Sequence, residues 1–268
     1  MSSFDSSTPI VNQPTLYIRD MKVSNNATTP NTQLDVSAGI CRDSTNTFDI
    51  NLGNYNGQNN SGTANAVTTI NAATTGLNAL DTGVLVLSTV YKVFVVADAV
   101  SGNKTGLMLS TASAATGPLL PFGYNIFRHI GYAVTDASVH FLLFWQTGNQ
   151  NARRFTFDAP QATAVTAGTS ATYAAIALTK WVPAADNLPI LFSVNWTANG
   201  AADTFNMQGG NSTGDQFLAI APVAGGTAHT VVWPTVLSQL VAGVPTSNYK
   251  VSAVGGVAIN VAAFDFYI

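Results

Sequence analysis

No glutamate occurs anywhere in this chain of 268 residues; all thirteen acidic side chains are aspartate. Glu and Lys usually cover the outer faces of helices, because their unbranched side chains lose little rotamer freedom there. Aspartate instead competes for backbone hydrogen bonds and favours caps and turns. Lys and Arg together number only ten, so charged residues make up 9% of the chain, against roughly 25% in an ordinary soluble domain. What remains for the surface is Thr, Ser, Asn and Gly, the composition of strands and turns. The expected fold is all-β, with antiparallel β-sandwich or jelly-roll-like units and an extended N-terminal segment.

At 47% apolar residues the chain has ample material for a core, which excludes disorder over most of its length. Its net charge is −3, and Arg153 and Arg154 form the one adjacent pair of basic residues. Nucleic-acid binding normally shows a clustered basic stripe, so nucleic acid is not an expected partner. The single cysteine, Cys41, has no intrachain partner and reads as a buried strand residue, which suits assembly in a reducing cytoplasm. The first residues carry neither a basic stretch nor an apolar one, so secretory export is not expected. The most apolar stretch, 84–100, is interrupted by Ser88, Lys92 and Asp98. It falls short of the ~20 apolar residues of a spanning helix, so membrane insertion is not expected either.

Three segments are expected along the chain. Residues 1–83 would hold an extended arm over 1–14, a strand over 15–23 and a β-meander. In the meander Leu34, Val36, Ala38 and Ile40, and then Phe48, Ile50 and Leu52, alternate with polar residues at period two. Residues 53–83 are rich in Asn, Gly, Thr and Ala, and read as a boundary or a strip laid on a neighbouring subunit, because long structureless loops are uncommon inside compact domains. Residues 84–160 form a middle β unit with strand signals at 84–87, 90–97, 107–109, 141–145 and around Phe155 and Phe157, and a turn at 101–103. Residues 161–268 read as a C-terminal β-sandwich, with strands near 171–178, 190–196, 204–208, 216–222, 229–233, 249–254 and 257–268. A single helical turn is expected at 236–241. Gly255 and Gly256 suit a two-residue hairpin loop. No repeat of fixed period is visible.

Catalytic chemistry finds little to work with. Glycoside hydrolysis usually needs two carboxylates flanking the bond, and most aspartates here, such as Asp43, Asp186 and Asp203, sit in turn contexts where the side chain bonds its own backbone. Asp136 and Asp158, near the aromatic middle block, are the pair least easily set aside. His129, His140 and His229 are the only histidines. They show no metal-ligand spacing, and no cysteine pair or calcium-loop pattern occurs. His129, beside Arg128, is expected on a strand surface or at a subunit contact. Neither a nucleophile elbow nor a phosphate-binding glycine loop is present. The expectation is therefore no catalytic, cofactor or metal site and no cofactor. Trp145, Trp181, Trp196 and Trp233, with Tyr91, Tyr124, Tyr132, Tyr173 and Tyr249, could supply core packing, sugar stacking or interface anchors.

One set of segments carries a resemblance. The run from Val90 through Tyr91, Lys92, Val93, Phe94, Val95, Val96 and Ala97 ends on Asp98, and Gly106-Leu107-Met108-Leu109-Ser110-Thr111 follows. Then come Leu119-Leu120-Pro121-Phe122-Gly123-Tyr124 and Arg128-His129-Ile130-Gly131. Near the N-terminus stand Leu16-Tyr17-Ile18-Arg19-Asp20-Met21, Asp35-Val36-Ser37-Ala38-Gly39 and Arg42-Asp43-Ser44. Together these resemble tailed-bacteriophage and prophage virion proteins of the tail-fibre and appendage type. The resemblance implies a non-enzymatic virion structural protein, assembled in the bacterial cytoplasm, whose N-terminal segment attaches to the particle. It implies a homo-oligomer, expected to be a trimer, and partners among other virion proteins of the tail, portal-adaptor or capsid, with a host surface glycan as a further partner. Three alternatives stay open: a capsid decoration (cement) protein, a glycan-degrading tailspike-like enzyme, and a bacterial sugar-binding module.

Overall fold

The computed structural model describes residues 15–53, 66–100, 104–163, 165–198, 203–220, 228–252 and 256–268. Among them no helix forms, and the chain is all-β with mainly antiparallel pairing. Two compact units are present, Met1–Arg153 with Tyr267–Ile268, and Arg154–Phe266.

The first unit begins with β1 (Ile18–Asp20), β2 (Val23–Asn25), β3 (Gln33–Val36), β4 (Gly39–Arg42), β5 (Asp49–Leu52), β6 (Thr68–Thr75) and β7 (Ala79–Leu80). It continues with β8 (Val90–Ala97), β9 (Thr105–Ser110), β10 (Ile126–Val134) and β11 (Phe144–Asn149). Strands β1, β4 and β5 form a small antiparallel sheet. The others pair in the order β11-β2-β3-β6-β7-β9-β8-β10, antiparallel except for the two pairings of β7. Strand β5 packs against β8 and β9. A second layer of this kind explains why 93–97 is a continuous apolar run rather than an alternating one: both faces are covered. Phe94, Val96 and Met108 form a buried cluster, and the Phe94 and Phe127 rings meet edge to face at 5.9 Å. Each fully buried side chain of this size contributes about 1.5–3 kcal/mol.

The second unit holds β12 (Ala152–Ala162), which starts at the division, then β13 (Ala174–Ala177), β14 (Leu188–Ala198), β15 (Thr204–Gly209) and β16 (Phe217–Ile220). After them come β17 (Ala228–Val232), β18 (Thr235–Val241), β19 (Val244–Val251) and β20 (Val257–Tyr267). One layer runs β16-β15-β19-β13. In the other, β14 lies between β20 on one edge and β17 and β18 on the other. Ile190, Phe192, Val194 and Trp196 alternate inward along β14, and Trp196 faces Phe205 of the opposite layer at 6.2 Å. This is a sandwich arrangement, as expected for the C-terminal part.

Several local expectations are corrected. Residues 15–23 are not one strand: Asp20 and Met21 take φ values of 58° and 54°, so the chain breaks between β1 and β2. The predicted meander is split as well, because β2 and β3 join the larger sheet while β1, β4 and β5 form their own. The division expected at residue 83 falls inside one unit. Strands β6 and β7 sit in mid-sheet, with Ile70, Ala72, Ala79 and Leu80 buried, and the polar Thr and Asn between them masked a strand whose buried face is narrow. Residues 84–87 form no strand despite their β-branched content. Their turn is held by the Val86 amide donating to the Tyr91 hydroxyl and by Thr135 Oγ1 donating to the Val86 carbonyl. Residues 236–241 form strand β18 rather than a helical turn; Val236 and Ser238 face inward with Leu237 outward, a period of two. The 1–14 arm, the 101–103 turn, most of the Asn/Gly-rich tip of 53–83 (54–65) and Gly255 lie outside the described residues.

Candidate functional site

Arg153 is the best-placed functional side chain. It is buried, 4% exposed, and its guanidinium is spent on backbone carbonyls. Nε donates to Gln150 at 3.1 Å, Nη1 to Met21 at 2.8 Å and to Ile130 at 3.2 Å, and Nη2 to Asp20. The left-handed turn at Asp20 and Met21 is what aims two of these carbonyls at the cation. The facing turn, with Gly148 at φ 99° and Gln150 at φ 50°, supplies another. A β-carbon on Gly148 would lie 2.9 Å from the Arg153 Cα, so this approach requires glycine.

Around this anchor lies a cavity of about 360 Å³ lined by Tyr17, Arg19, Lys22 and Arg153, with Asp20 and Gln150 at its walls. It brings together three of the ten cations in the chain and a single carboxylate. Burial pushes the Arg153 guanidinium down to about 10, opposed in part by Asp20, so it stays charged at neutral pH. A buried guanidinium held by dipoles is a fixed positive charge, costly to create and therefore structurally committed. A second hollow of about 520 Å³ runs between Thr74, Thr75, Val84, Leu85, Val139 and His140. It offers hydroxyls and small apolar groups but no fixed charge.

The residues weighed from sequence take other places. Asp136 caps its own turn, its Oδ1 accepting from the Ser138 and His140 amides at 2.7 and 2.9 Å, with His140 Nδ1 4.0 Å from Oδ2. Asp158 is exposed on β12, in the other unit. Asp43 is likewise a turn residue. Burial alone would raise its carboxyl, but Thr45 Oγ1 and the amides of Phe48, Thr47 and Thr45 outweigh burial and lower it. His129 is not on a surface. It is 5% exposed, lies 4.6 Å from the Tyr132 ring and 5.6 Å from Phe94, and its Nε2–H donates to the Gly131 carbonyl at 2.9 Å. Burial, with Lys92 and Arg128 nearby, drops the imidazole to about 3. Cys41 is a buried residue of β4, as expected, and burial pushes its thiol up to about 12.

Among the aromatics, Tyr91, Tyr132, Trp196 and Tyr249 are buried, whereas Trp145 and Trp233 are about half exposed. Among the described residues no group of three His, Cys or Asp side chains could hold a metal ion, and no helix is long and apolar enough to cross a membrane. Sequence reasoning noted the Arg153–Arg154 pair but missed Tyr17, Arg19 and Lys22. The available signal was the alternation of Tyr17 and Arg19 with buried Ile18 in a chain otherwise poor in charge. Comparisons with protein-family models, with curated proteins and with solved structures find no match to this chain.

Proposed function

We propose that the chain is a non-enzymatic structural protein of a phage virion, a tail fibre or tail-attached appendage that assembles as a homotrimer and takes part in host-surface attachment. The observation that carries this reading is a set of large apolar side chains exposed on two segments of the first unit. Val84, Val86 and Leu87 are 77%, 52% and 55% exposed, and Leu119 and Phe122 are 68% and 106% exposed. The two segments adjoin, because the Leu119 amide donates to the Asp81 carboxylate just ahead of Val84. Singly scattered apolar residues need no explanation, but large exposed ones grouped on two linked segments favour an interface. A second copy covering them fits a chain with few charges to oppose association, and the resemblance of the surrounding segments points to a virion. The turn-bound Asp136 carboxylate supports contact over catalysis.

Mass measurement in solution at micromolar concentration tests the assembly. A trimer is expected, and a stable monomer would remove the main support. Labelled antibody on intact particles tests the location: signal at the tail or vertex supports the fibre reading, whereas uniform shell signal transfers the protein to capsid decoration. Release of reducing sugar from host envelope glycans, abolished by Asp136→Asn or Asp158→Asn, would establish a glycan-degrading enzyme instead.

A further inference from the structure

We infer that Lys250 and Asn206 join through an amide bond between their side chains, formed by the chain itself with the Asp215 carboxylate as proton carrier, and that this bond ties β19 to β15. It is a single self-modification rather than a turnover reaction, and it stands independently of the virion reading.

The three side chains meet on the outer face of one sheet. Phe205 and Met207 of β15 are wholly buried on the inner face, so Asn206 between them points outward. Its cross-strand partner on β19 is Lys250, and side chains paired in this way have β-carbons about 4.5–5.5 Å apart. The turn between β15 and β16 brings Asp215 back to this pair. Asn206 Nδ2 donates to Asp215 Oδ2 at 2.6 Å, and Lys250 Nζ lies 3.8 Å from Asp215 Oδ1. One carboxylate therefore holds both the amine that attacks and the nitrogen that leaves. The Tyr173 ring closes another side of the amine, its centroid 4.5 Å from Nζ.

Burial singles out the asparagine. Asn206 is 4% exposed although it lies on the outer face, and its Oδ1 has no hydrogen-bond partner among the described residues. Orphaned buried polar atoms of this kind are rare in native folds and call for a reason. Here the amide is fixed through its nitrogen alone, the atom that the reaction expels.

The step needs no oxidant or cofactor. Asp215 takes a proton from the Lys250 ammonium, and the freed Nζ lone pair attacks Asn206 Cγ. The Nζ–Cγ bond forms and the Cγ–Nδ2 bond breaks. Of the ammonium's three protons, one stays on the new amide and two pass through Asp215 to Nδ2, which departs as ammonium. No electrons are gained or lost. Holding the reacting groups on paired strands replaces a chance encounter with a fixed one, and one slow event suffices because the product is permanent. With a single cysteine the chain can form no disulfide of its own, and this amide supplies a cross-link in its place.

Intact-mass measurement of the folded full chain after prolonged incubation, followed by tryptic mapping, decides the matter. A mass one ammonia below that of the sequence is expected, with a branched peptide joining Asn206 to Lys250. Lys250→Arg, Asn206→Ala and Asp215→Ala should each keep the full mass. A wild-type chain at full sequence mass would overturn the inference. So would an ammonia loss that persists in Lys250→Arg, or one that accumulates equally while the chain is held unfolded in guanidinium. Complete bond formation in Asp215→Ala would overturn the role given to that carboxylate. Should the variants fail to fold, the wild-type peptide map decides alone: the branched peptide supports the bond, and its absence refutes it.

Discussion

The Arg153 guanidinium donates from Nη1 to the Met21 carbonyl at 2.8 Å, closing a contact between residues 132 positions apart. The next residue, Arg154, points the other way and forms a two-point ion pair with Asp265 at 2.5 and 2.8 Å, part-exposed on the surface.

The two arginines therefore predict opposite outcomes. Arg153→Leu takes a donor from four carbonyls, of which Ile130 keeps another from Gln146 Nε2, and each buried acceptor left unsatisfied costs about 1–3 kcal/mol. Arg154→Ala removes a solvent-screened pair worth about 0–1 kcal/mol. Urea unfolding of the two variants should show a large drop in midpoint for the first and almost none for the second. Equal losses would mean that the carbonyl cage contributes no more than a surface pair.

His129 predicts a pH dependence of stability. The folded imidazole is depressed from 6.5 to about 3 by burial, so the unfolded chain takes up its proton first as pH falls. The stabilisation is complete above about 6.5 and is lost progressively towards 3, at a slope approaching 1.4 kcal/mol per pH unit. Between pH 6.5 and 5 few carboxylates titrate, so His129→Gln should flatten the curve there. Ring resonances of His129 should stay unchanged from pH 7.5 to 5, and a folded-state titration near 6.5 would contradict the assigned environment.

Cys41 should be inert while the fold persists. Its thiol is fully buried and pushed up to about 12, and the thiolate is the reactive form. A thiol reagent should label the native chain only as fast as the first unit opens, and label it at once in concentrated guanidinium. Cys41→Ser, which places a hydroxyl in the same site, should cost about 1–3 kcal/mol if no partner is gained. Prompt labelling of the native chain would refute the buried placement.

Gly39 is expected to tolerate no side chain. A β-carbon there would clash with the Arg19 carbonyl and lie 2.6 Å from the Met21 nitrogen, both backbone atoms of the strand pair. Because backbone cannot swing aside as a flexible side chain can, Gly39→Ala should destabilise by about 1–3 kcal/mol. It should also speed amide exchange across Ile18, Arg19 and Asp20. An unchanged melting temperature with unchanged exchange would show that β1 has slack there.

What could be read from the chain was whatever depends on neighbours in sequence. The missing glutamate, the turn-forming Asx runs and the period-two alternation predicted an all-β chain, the expected turn at 236–241 aside, and placed β8 and β15 closely and β14 to within about two residues. Adjacent in sequence, Arg153 and Arg154 lie on opposite faces of β12. Which side meets carbonyls and which meets water depends on the turn at Asp20 and Met21, far away in sequence. The same limit hid β6, which pairs with β3 and β7 in mid-sheet, and placed His129 on a surface although it is buried. Strand period is a local property of the backbone, set by residues within a few positions. Burial, the direction of a guanidinium and the convergence of Tyr17, Lys22 and Arg153 on one cavity arise only when distant strands pack, so tertiary structure alone decided them.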